Sequence, residues 1–489
     1  MNKTSKQGIV VVIAALAIQL TLGIAYLWTL FQTGITNDLF NEQNHLAALT
    51  FSVVLACLTI GSVFGGMLAK KLNSTRIVVF IGGSTVALGF LLASFVTDKA
   101  PWLLYFTYGL MGGTGMGLSY STTIACAQKW FPHKKGLITG IIISALGFGG
   151  VVFTPVILAV LSAFGAHWEM IDGINTFVSN DSWRWTFRVL AGAFFVICGT
   201  GSYFLKNAPQ PQTQDPLPAD LNLNQDQLAK SEQKPEGVLA ENEAVKEPIK
   251  NAVTEPAKAT IEKKDYTAVQ MLKSPKFYII MATFFFAVIG GQMMIAFASP
   301  IESIGNTGLP IPIGALTLSI GILAISFFNS AGRLLWGFLS DKLGRINTIL
   351  ILLAGSAALL MFVGLAAGHW TIYILMAAIG LFYGGILSIF PTLTAENFGT
   401  KNLATNYGFI LLGFGGGAIV AGQVAGIFAN QAVQHNDVNK MFPAFIIGAV
   451  CAVAGIGLMV LLKFLQKNAK KKLDLIKMEA ETKEEFENI

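Results

Sequence analysis

Apolar residues run along this chain in blocks of about 20 or more, the length at which a helix crosses the hydrocarbon core of a bilayer. Short polar stretches separate the blocks. The pattern predicts helices near 8–31, 47–69, 77–97, 102–128, 136–164 and 183–205. A second set falls near 277–300, 313–338, 347–367, 371–394, 404–429 and 442–464. The expected fold class is therefore an all-α membrane protein with twelve transmembrane helices in two six-helix halves. The sixth block is the least apolar at its start, where Arg184 and Arg188 lie.

The gap between the two sets has a different composition. Residues 206–268 are rich in Pro, Gln, Glu, Lys, Ala and Asn and nearly free of aromatics. Such a stretch buries too little apolar surface to offset its ordering entropy, so a disordered linker is expected. The domain organisation follows: an N-terminal half over 1–205, a linker over 206–268, a C-terminal half over 269–465 and a tail over 466–489. The tail is charged and carries Leu473, Ile476 and Met478 at helical spacing. A solvated tail is expected there rather than a short surface helix.

Composition agrees with the pattern. Hydrophobic residues make up 53% of the chain and charged residues 12%, about half the share found in soluble proteins. That excludes an ordinary water-soluble domain. The net charge of +6 points to no nucleic acid, because the basic residues gather beside the spans. Lys70, Lys71, Arg76, Lys129, Lys134, Lys135, Lys342, Arg345 and the run Lys470 to Lys472 all fall on one side. The positive-inside rule then puts both termini and the linker in the cytoplasm; a multi-pass monomer of the plasma membrane is expected. The basic start MNKTSK precedes a run of full spanning length with no clear cleavage site, so it reads as an uncleaved first helix. The four cysteines, Cys57, Cys126, Cys198 and Cys451, have no metal-ligand spacing. No disulfide, metal or cofactor is expected.

One string occurs twice, and a second pair matches in spacing. LGFGG stands at 146–150 in the fifth span and at 412–416 in the eleventh. GGMLAKKLNSTR (65–76) follows the second span, and WGFLSDKLGRIN (336–347) follows the eighth. Matched pairs at corresponding positions predict a tandem repeat of six plus six helices, an architecture of secondary transporters. Gly147, Gly149, Gly150, Gly413, Gly415 and Gly416 are expected to be helix-packing positions where the halves move against each other. Pro155 adds a bend. No phosphate-binding loop is implied, since no strand precedes these glycines.

GFLSDKLGR (337–345) resembles the signature loop of the major facilitator superfamily. The resemblance implies a gating loop in which Gly337 allows close helix approach. Asp341 meets a helix end or a cation, Gly344 makes a tight turn, and Arg345 completes the motif. The first-half copy departs from it, with Lys70 in place of the acid and Asn73 in place of the glycine. KWFPHKKGLITG (129–140) and the following GFGGVVFTP, MLKSPKFY (271–278), NSAGRLLWG (329–337) and QLTLGIAYLWTLF (19–31) resemble the oxalate/formate antiporter family and related monocarboxylate transporters. This resemblance covers nearly the whole chain outside the linker and tail. It implies a secondary transporter whose partners are a small carboxylate anion, protons and the lipid bilayer.

Arg333 is the charged residue well inside a span. Such a charge costs roughly 2.5–3.5 kcal/mol on insertion scales and signals function. A guanidinium offers a carboxylate two parallel hydrogen bonds, and the resemblance implies that role for Arg333. The alternative is structural, a lock with Asp341 two turns away. Asn329 lies one turn earlier on the same face. In some monocarboxylate carriers an acid stands there and works in proton coupling; the amide here speaks against that mechanism. The oxalate-transporting branch has a lysine in span eleven near the position of Phe414. One cation suits one carboxylate, so lactate, pyruvate or formate is favoured over oxalate.

Gln19, Tyr26, Tyr120 and Tyr383 are candidates to complete the substrate-binding site, and Trp28 reads as an interface anchor. No Asp or Glu lies deep in a span, and Glu302 and Glu396 stand near ends. That disfavours an exporter of cationic drugs. Proton symport and anion exchange both stay open, with Glu302 a candidate outer participant in symport. The rivals are an oxalate/formate-type exchanger and a non-transporting carboxylate sensor. No nucleophile–base pair or metal cluster suggests an enzyme.

Overall fold

The apolar blocks fold as helices. The computed structural model describes residues 3–487 apart from 42–43, 133, 172–173, 209–264, 306–310, 314–315, 319, 367–369 and 436. Most of the expected linker therefore lies outside the described residues. The first set comprises α1 (Lys3–Leu22), α2 (Trp28–Leu39), α3 (Asn44–Lys71), α4 (Thr75–Ala93), α5 (Gly113–Trp130), α6 (Lys135–Ala163) and α7 (Ser182–Phe204). The second comprises a short α8 (Ala268–Leu272), α9 (Pro275–Gly305), α10 (Ile320–Leu343), α11 (Arg345–Met361), α12 (Val363–Ala366), α13 (Thr371–Phe398), α14 (Leu403–His435) and α15 (Phe442–Glu487).

Ten helices among the described residues are long and apolar enough to cross a membrane. The other two expected spans are helical but differ. The fourth begins as a π-helix, Tyr105–Gly112, and becomes α-helical at Gly113. The ninth, α11, has 17 residues. The stretch after 468, expected as a solvated tail, continues α15 to Glu487.

Two short β-hairpins stand in the connections between the helices. His167–Ile171 pairs with Ile174–Val178, and Ile311–Ile313 pairs with Leu316–Leu318. The eighth span, expected from 313, starts only at Ile320. Pro312, just ahead of the expected start, lies in the first of these strands, where its fixed φ and missing donor are tolerated at a sheet edge. The apolar residues around it form a strand pair instead.

The two helix sets meet along two seams, α3 with α14 and α6 with α10. Glycine makes both close. A Cβ at Gly66 would overlap the Thr405 backbone, and one at Gly337 would stand 2.9 Å from the Gly136 carbonyl oxygen and 3.0 Å from Gly140 Cα. These two glycines occupy equivalent places in the duplicated loops, so the loop repeat has a structural counterpart. Asn73 and Gly344 are also equivalent, and both have positive φ, 47° and 81°. Asparagine is the other residue that tolerates this conformation.

The LGFGG strings behave differently. Gly147 faces Ser330 across a seam, whereas its counterpart Gly413 packs on the Met281 carbonyl within its own set. Gly149 packs on Gly23 of its own set, whereas Gly415 faces Thr59 across the other seam. Both helices make both kinds of contact, but string-equivalent glycines do opposite jobs.

Trp28 is 2% exposed and is not an interface anchor. Its ring lies 4.9 Å from Tyr108, which stacks on Phe187 at 5.4 Å. Span one turns this face inward, and aromatic partners from spans four and six cover it.

Within the second set, α10 and α13 touch through glycine. A Cβ at Gly384 would overlap the Asn329 carbonyl oxygen. Gly384→Ala is expected to destabilise the protein by about 1–3 kcal/mol through overpacking. Thermal unfolding in detergent measures this against Gly426→Ala, where a Cβ would meet nothing. Equal midpoints for the two variants would contradict the packing account.

Candidate functional site

Arg333 sits in mid α10 with 1% of its surface exposed. Glycines make room for it. A Cβ at Gly147 would stand 3.3 Å from the guanidinium carbon, and one at Gly140 would press 2.7 Å from the Arg333 carbonyl oxygen. The guanidinium crosses the seam, and Nη1 donates to the Ile143 carbonyl of α6 at 2.8 Å. Nε is buried without a partner. The Tyr26 ring lies 5.8 Å away, within cation–π range. The ion pairs among the described residues are Arg184–Asp181, Arg345–Asp341 and Arg345–Glu396, so no described carboxylate neutralises Arg333.

A small cavity of about 40 Å³ adjoins this cation. Tyr26, Gly147, Ser326, Asn329 and Arg333 line it together with Ile295, Ala298 and Ile325. Asn329 is 3% exposed, and its Oδ1 has no partner. A concave, largely apolar chamber with a few converging polar atoms fits a small ligand. With an unpaired buried cation in its wall, the complementary ligand is an anion.

A second small cavity, of about 20 Å³, is also bordered by Tyr26. Tyr120 borders it, and its hydroxyl stands 3.4 Å from that of Tyr407 on α14. Gln19 donates to the Tyr120 carbonyl at 3.2 Å, and its Oε1 is unpartnered. Tyr383 is buried beside Gly291 with a partnerless hydroxyl, and it borders neither cavity. Of the six candidates, Arg333, Asn329 and Tyr26 thus come together at one chamber, and Tyr120, whose carbonyl Gln19 bonds, borders the next. The Glu302 side chain lies outside the described residues. Ser326 and Tyr407 were not anticipated. Ser326 had a readable signal, its place one turn before Asn329 on the same face; Tyr407 had none.

The signature loop links the two sets at the basic end of the bundle. Asp341 accepts from the backbone amides of Gly136 and Leu137, at 3.3 and 3.0 Å, in the first turn of α6. Those amides have no partner inside their helix, and the helix dipole favours a carboxylate there. Arg345 donates to Ser340, to Asp341 and, at 3.0 Å, to Glu396. At the start of α14, Lys70 supplies no acid. There Asp265 accepts from the Lys401 amide at 3.1 Å, while Asn402 and Asn406 donate to the Tyr266 carbonyl. No cluster of three or more His, Cys, Asp or Glu able to hold a metal occurs among the described residues.

A family model described as Major Facilitator Superfamily matches residues 9–334 and 313–484. The uncharacterized MFS-type transporter YhjX of Escherichia coli (strain K12) is 28% identical over 412 residues, 83% of this chain and 85% of that one. The oxalate:formate antiporter of Oxalobacter formigenes is 27% identical over 401 residues, covering 81% and 79%. Apicoplast pyruvate carrier 1 of Toxoplasma gondii is 28% identical over 379 residues, covering 73% and 64%. Among solved structures, the E. coli fucose:proton symporter superposes with a TM-score of 0.57 at 12% identity, over 93% of this chain and 97% of that one. At that identity the likeness concerns the fold.

Proposed function

This chain belongs to the Major Facilitator Superfamily, and we propose that it is a secondary carrier of small monocarboxylates across the plasma membrane. The observation that carries the reading is Arg333, buried between the helix sets with no carboxylate among the described residues to neutralise it. An anionic substrate would supply the missing charge. Asn329, Tyr26 and Ser326 would orient it, and Tyr120, Tyr383 and Gln19 would support that chamber from behind. Similarity to an oxalate:formate antiporter and to a pyruvate carrier supports a carboxylate. Phe414, where the oxalate-transporting branch carries a lysine, supports one carboxylate rather than two.

The carrier would alternate access between halves 1–205 and 269–465, with twelve spans counted by including Tyr105–Trp130 and α11. Both termini would be cytoplasmic, because the basic connections mark that side. Asp341 and Arg345, aided by Gly337 and Gly344, would then form the cytoplasmic gate. Gly136, Gly140 and Gly147 support a tight α6–α10 seam that opens and closes as a unit. Two coupling modes fit a single cation, proton symport and anion exchange.

Purified protein in liposomes tests the reading. Labelled lactate uptake is expected to be competed by pyruvate and formate and little affected by oxalate. Uptake into empty liposomes that follows an inward proton gradient would establish symport; uptake only with a trapped anion would establish exchange. Strong competition by oxalate would favour the oxalate/formate-type exchanger. Saturable binding without uptake in either format would leave the sensor reading in its place.

A further inference from the structure

The α3–α14 seam ends in an open pocket of about 500 Å³ at the basic end of the bundle. Both helix sets line it. Met67, Lys70 and Lys71 come from the end of α3, Thr267 and Val269 from the start of α8, and Asn402 and Thr405 from the start of α14. Just inside, the seam is tight, because Gly66 lies against the Thr405 backbone. Lys70 and Lys71 are exposed, and neither pairs with a described carboxylate. Asp265, two residues before Thr267, is turned to the Lys401 amide. The other seam is built differently. There Asp341 accepts from the Gly136 and Leu137 amides across the seam. Lys70 holds the equivalent place in the duplicated loop. An ammonium group has donors and no acceptor, so it cannot make that bridge alone. An anion seated between the lysines and the opposite wall can.

We infer that this pocket binds a phosphate group, carried by an anionic lipid headgroup or by a free phosphate, and that the bound anion ties the two helix sets together at this end. The inference is independent of the carboxylate reading of Arg333. Phosphate oxygens accept charge-assisted hydrogen bonds from both ammonium groups. On the opposite wall, Thr267 Oγ1 accepts from the Gln270 amide at 3.4 Å, which leaves its own proton to donate to the anion. The lipid source is favoured by the apolar surface that leads to the pocket. Ile60, Phe64 and Met67 are exposed on one face of α3, at a spacing that ends the row at Lys71. An acyl chain lying along that row puts its headgroup at the lysines. Basic clusters at the edge of a membrane attract anionic headgroups in this way. An anion that touches both helix sets favours the arrangement in which they are close at this end, and that arrangement in turn favours the anion. The α6–α10 seam thus closes on a carboxylate of the chain, and the α3–α14 seam closes on a phosphate from outside it.

Thermal unfolding of the purified full-length protein in an uncharged detergent reads binding, with phosphatidylglycerol, phosphatidylcholine, glycerol 3-phosphate and inorganic phosphate as probes. Phosphatidylglycerol is expected to raise the midpoint. Phosphatidylcholine, whose choline cancels the charge, is expected to leave it unmoved. Lys70→Gln combined with Lys71→Gln is expected to weaken phosphatidylglycerol binding about 25-fold, roughly fivefold for each lysine. Lys134→Gln combined with Lys342→Gln removes the same charge beside the other seam and is expected to change the affinity less than about threefold. Val269→Glu puts a carboxylate into the pocket at a residue that is 62% exposed. It is expected to abolish the stabilisation, which keeps the test decisive if the lysine double variant does not fold. Spin labels at the exposed Leu72 and Lys401 are expected to give a shorter, narrower distance distribution when phosphatidylglycerol is present. Equal stabilisation by glycerol 3-phosphate or inorganic phosphate at the same concentration would make the ligand a soluble phosphate and keep the site. Four results would each overturn the inference: no stabilisation by any phosphate, equal stabilisation by phosphatidylcholine, equal loss in the two double variants, or a distance distribution that the ligand leaves unchanged.

Discussion

Arg333→Lys is expected to lose transport almost completely although it keeps the charge. The guanidinium already spends one donor on the Ile143 carbonyl across the seam and holds its Nε unpartnered. Its remaining donors can meet a carboxylate in a fixed fork. An ammonium is a point charge on a flexible stem and cannot keep the cross-seam bond while presenting a planar pair. Hydrogen bonds involving charged groups contribute about 1.5–3 kcal/mol each. Losing one of them corresponds to a fall in affinity of roughly 10-fold to 150-fold. Uptake of labelled lactate, normalised to protein in the liposomes, reads the effect. Arg333→Leu supplies a second arm. It also abolishes uptake, but removing an unpaired buried cation relieves its desolvation cost. Its unfolding midpoint in the absence of substrate is expected to equal or exceed that of the wild type. Near-normal uptake by Arg333→Lys would sink the site, and a large drop in the midpoint of Arg333→Leu would make the arginine a structural lock instead.

Arg333 was legible because a charge inside an apolar run is costly wherever the chain folds. The helices were legible for a similar reason: long uninterrupted apolar blocks leave few other ways to satisfy the backbone in a bilayer. What escaped depended on direction rather than composition. Trp28 and a surface-belt tryptophan are indistinguishable until the helix face is known, and the structure turns it toward Tyr108. The LGFGG strings marked two closely packed helices but not which neighbour each glycine meets, because a helix contacts two neighbours and the string carries no azimuth. Tyr407 is an ordinary tyrosine in the chain and becomes notable only beside Tyr120. The first hairpin did leave a trace. Asp172–Gly173 stands between His167–Ile171 and Ile174–Val178, and Asp-Gly is a strong hairpin signal. The second left only Pro312, inside its first strand and just ahead of the expected span.

Asp341→Ala is expected to shift the conformational balance rather than the binding site. In the wild type this carboxylate accepts from two amides at the start of α6 and pairs with Arg345. The ion pair is partly exposed and contributes little by itself. The amide bonds matter more, because they join the two helix sets and are made only when the α6–α10 seam is closed at the basic end. Alanine leaves those amides to water, at a loss of about 1.5–3 kcal/mol to the closed state. That corresponds to a roughly 10-fold to 100-fold shift toward the state open at that end. The first half offers no compensation, because Lys70 stands where an equivalent acid would meet α14. Spin labels at the exposed Lys134 and Lys342 would report the shift as a new, longer distance component. Uptake would fall because one half of the cycle becomes uphill, while carboxylate binding to Arg333 changes far less. Asp341→Asn keeps one acceptor and is expected to lie between alanine and wild type in both measurements. A distance distribution indistinguishable from wild type in Asp341→Ala, with full uptake, would show that glycine packing alone holds the seam closed.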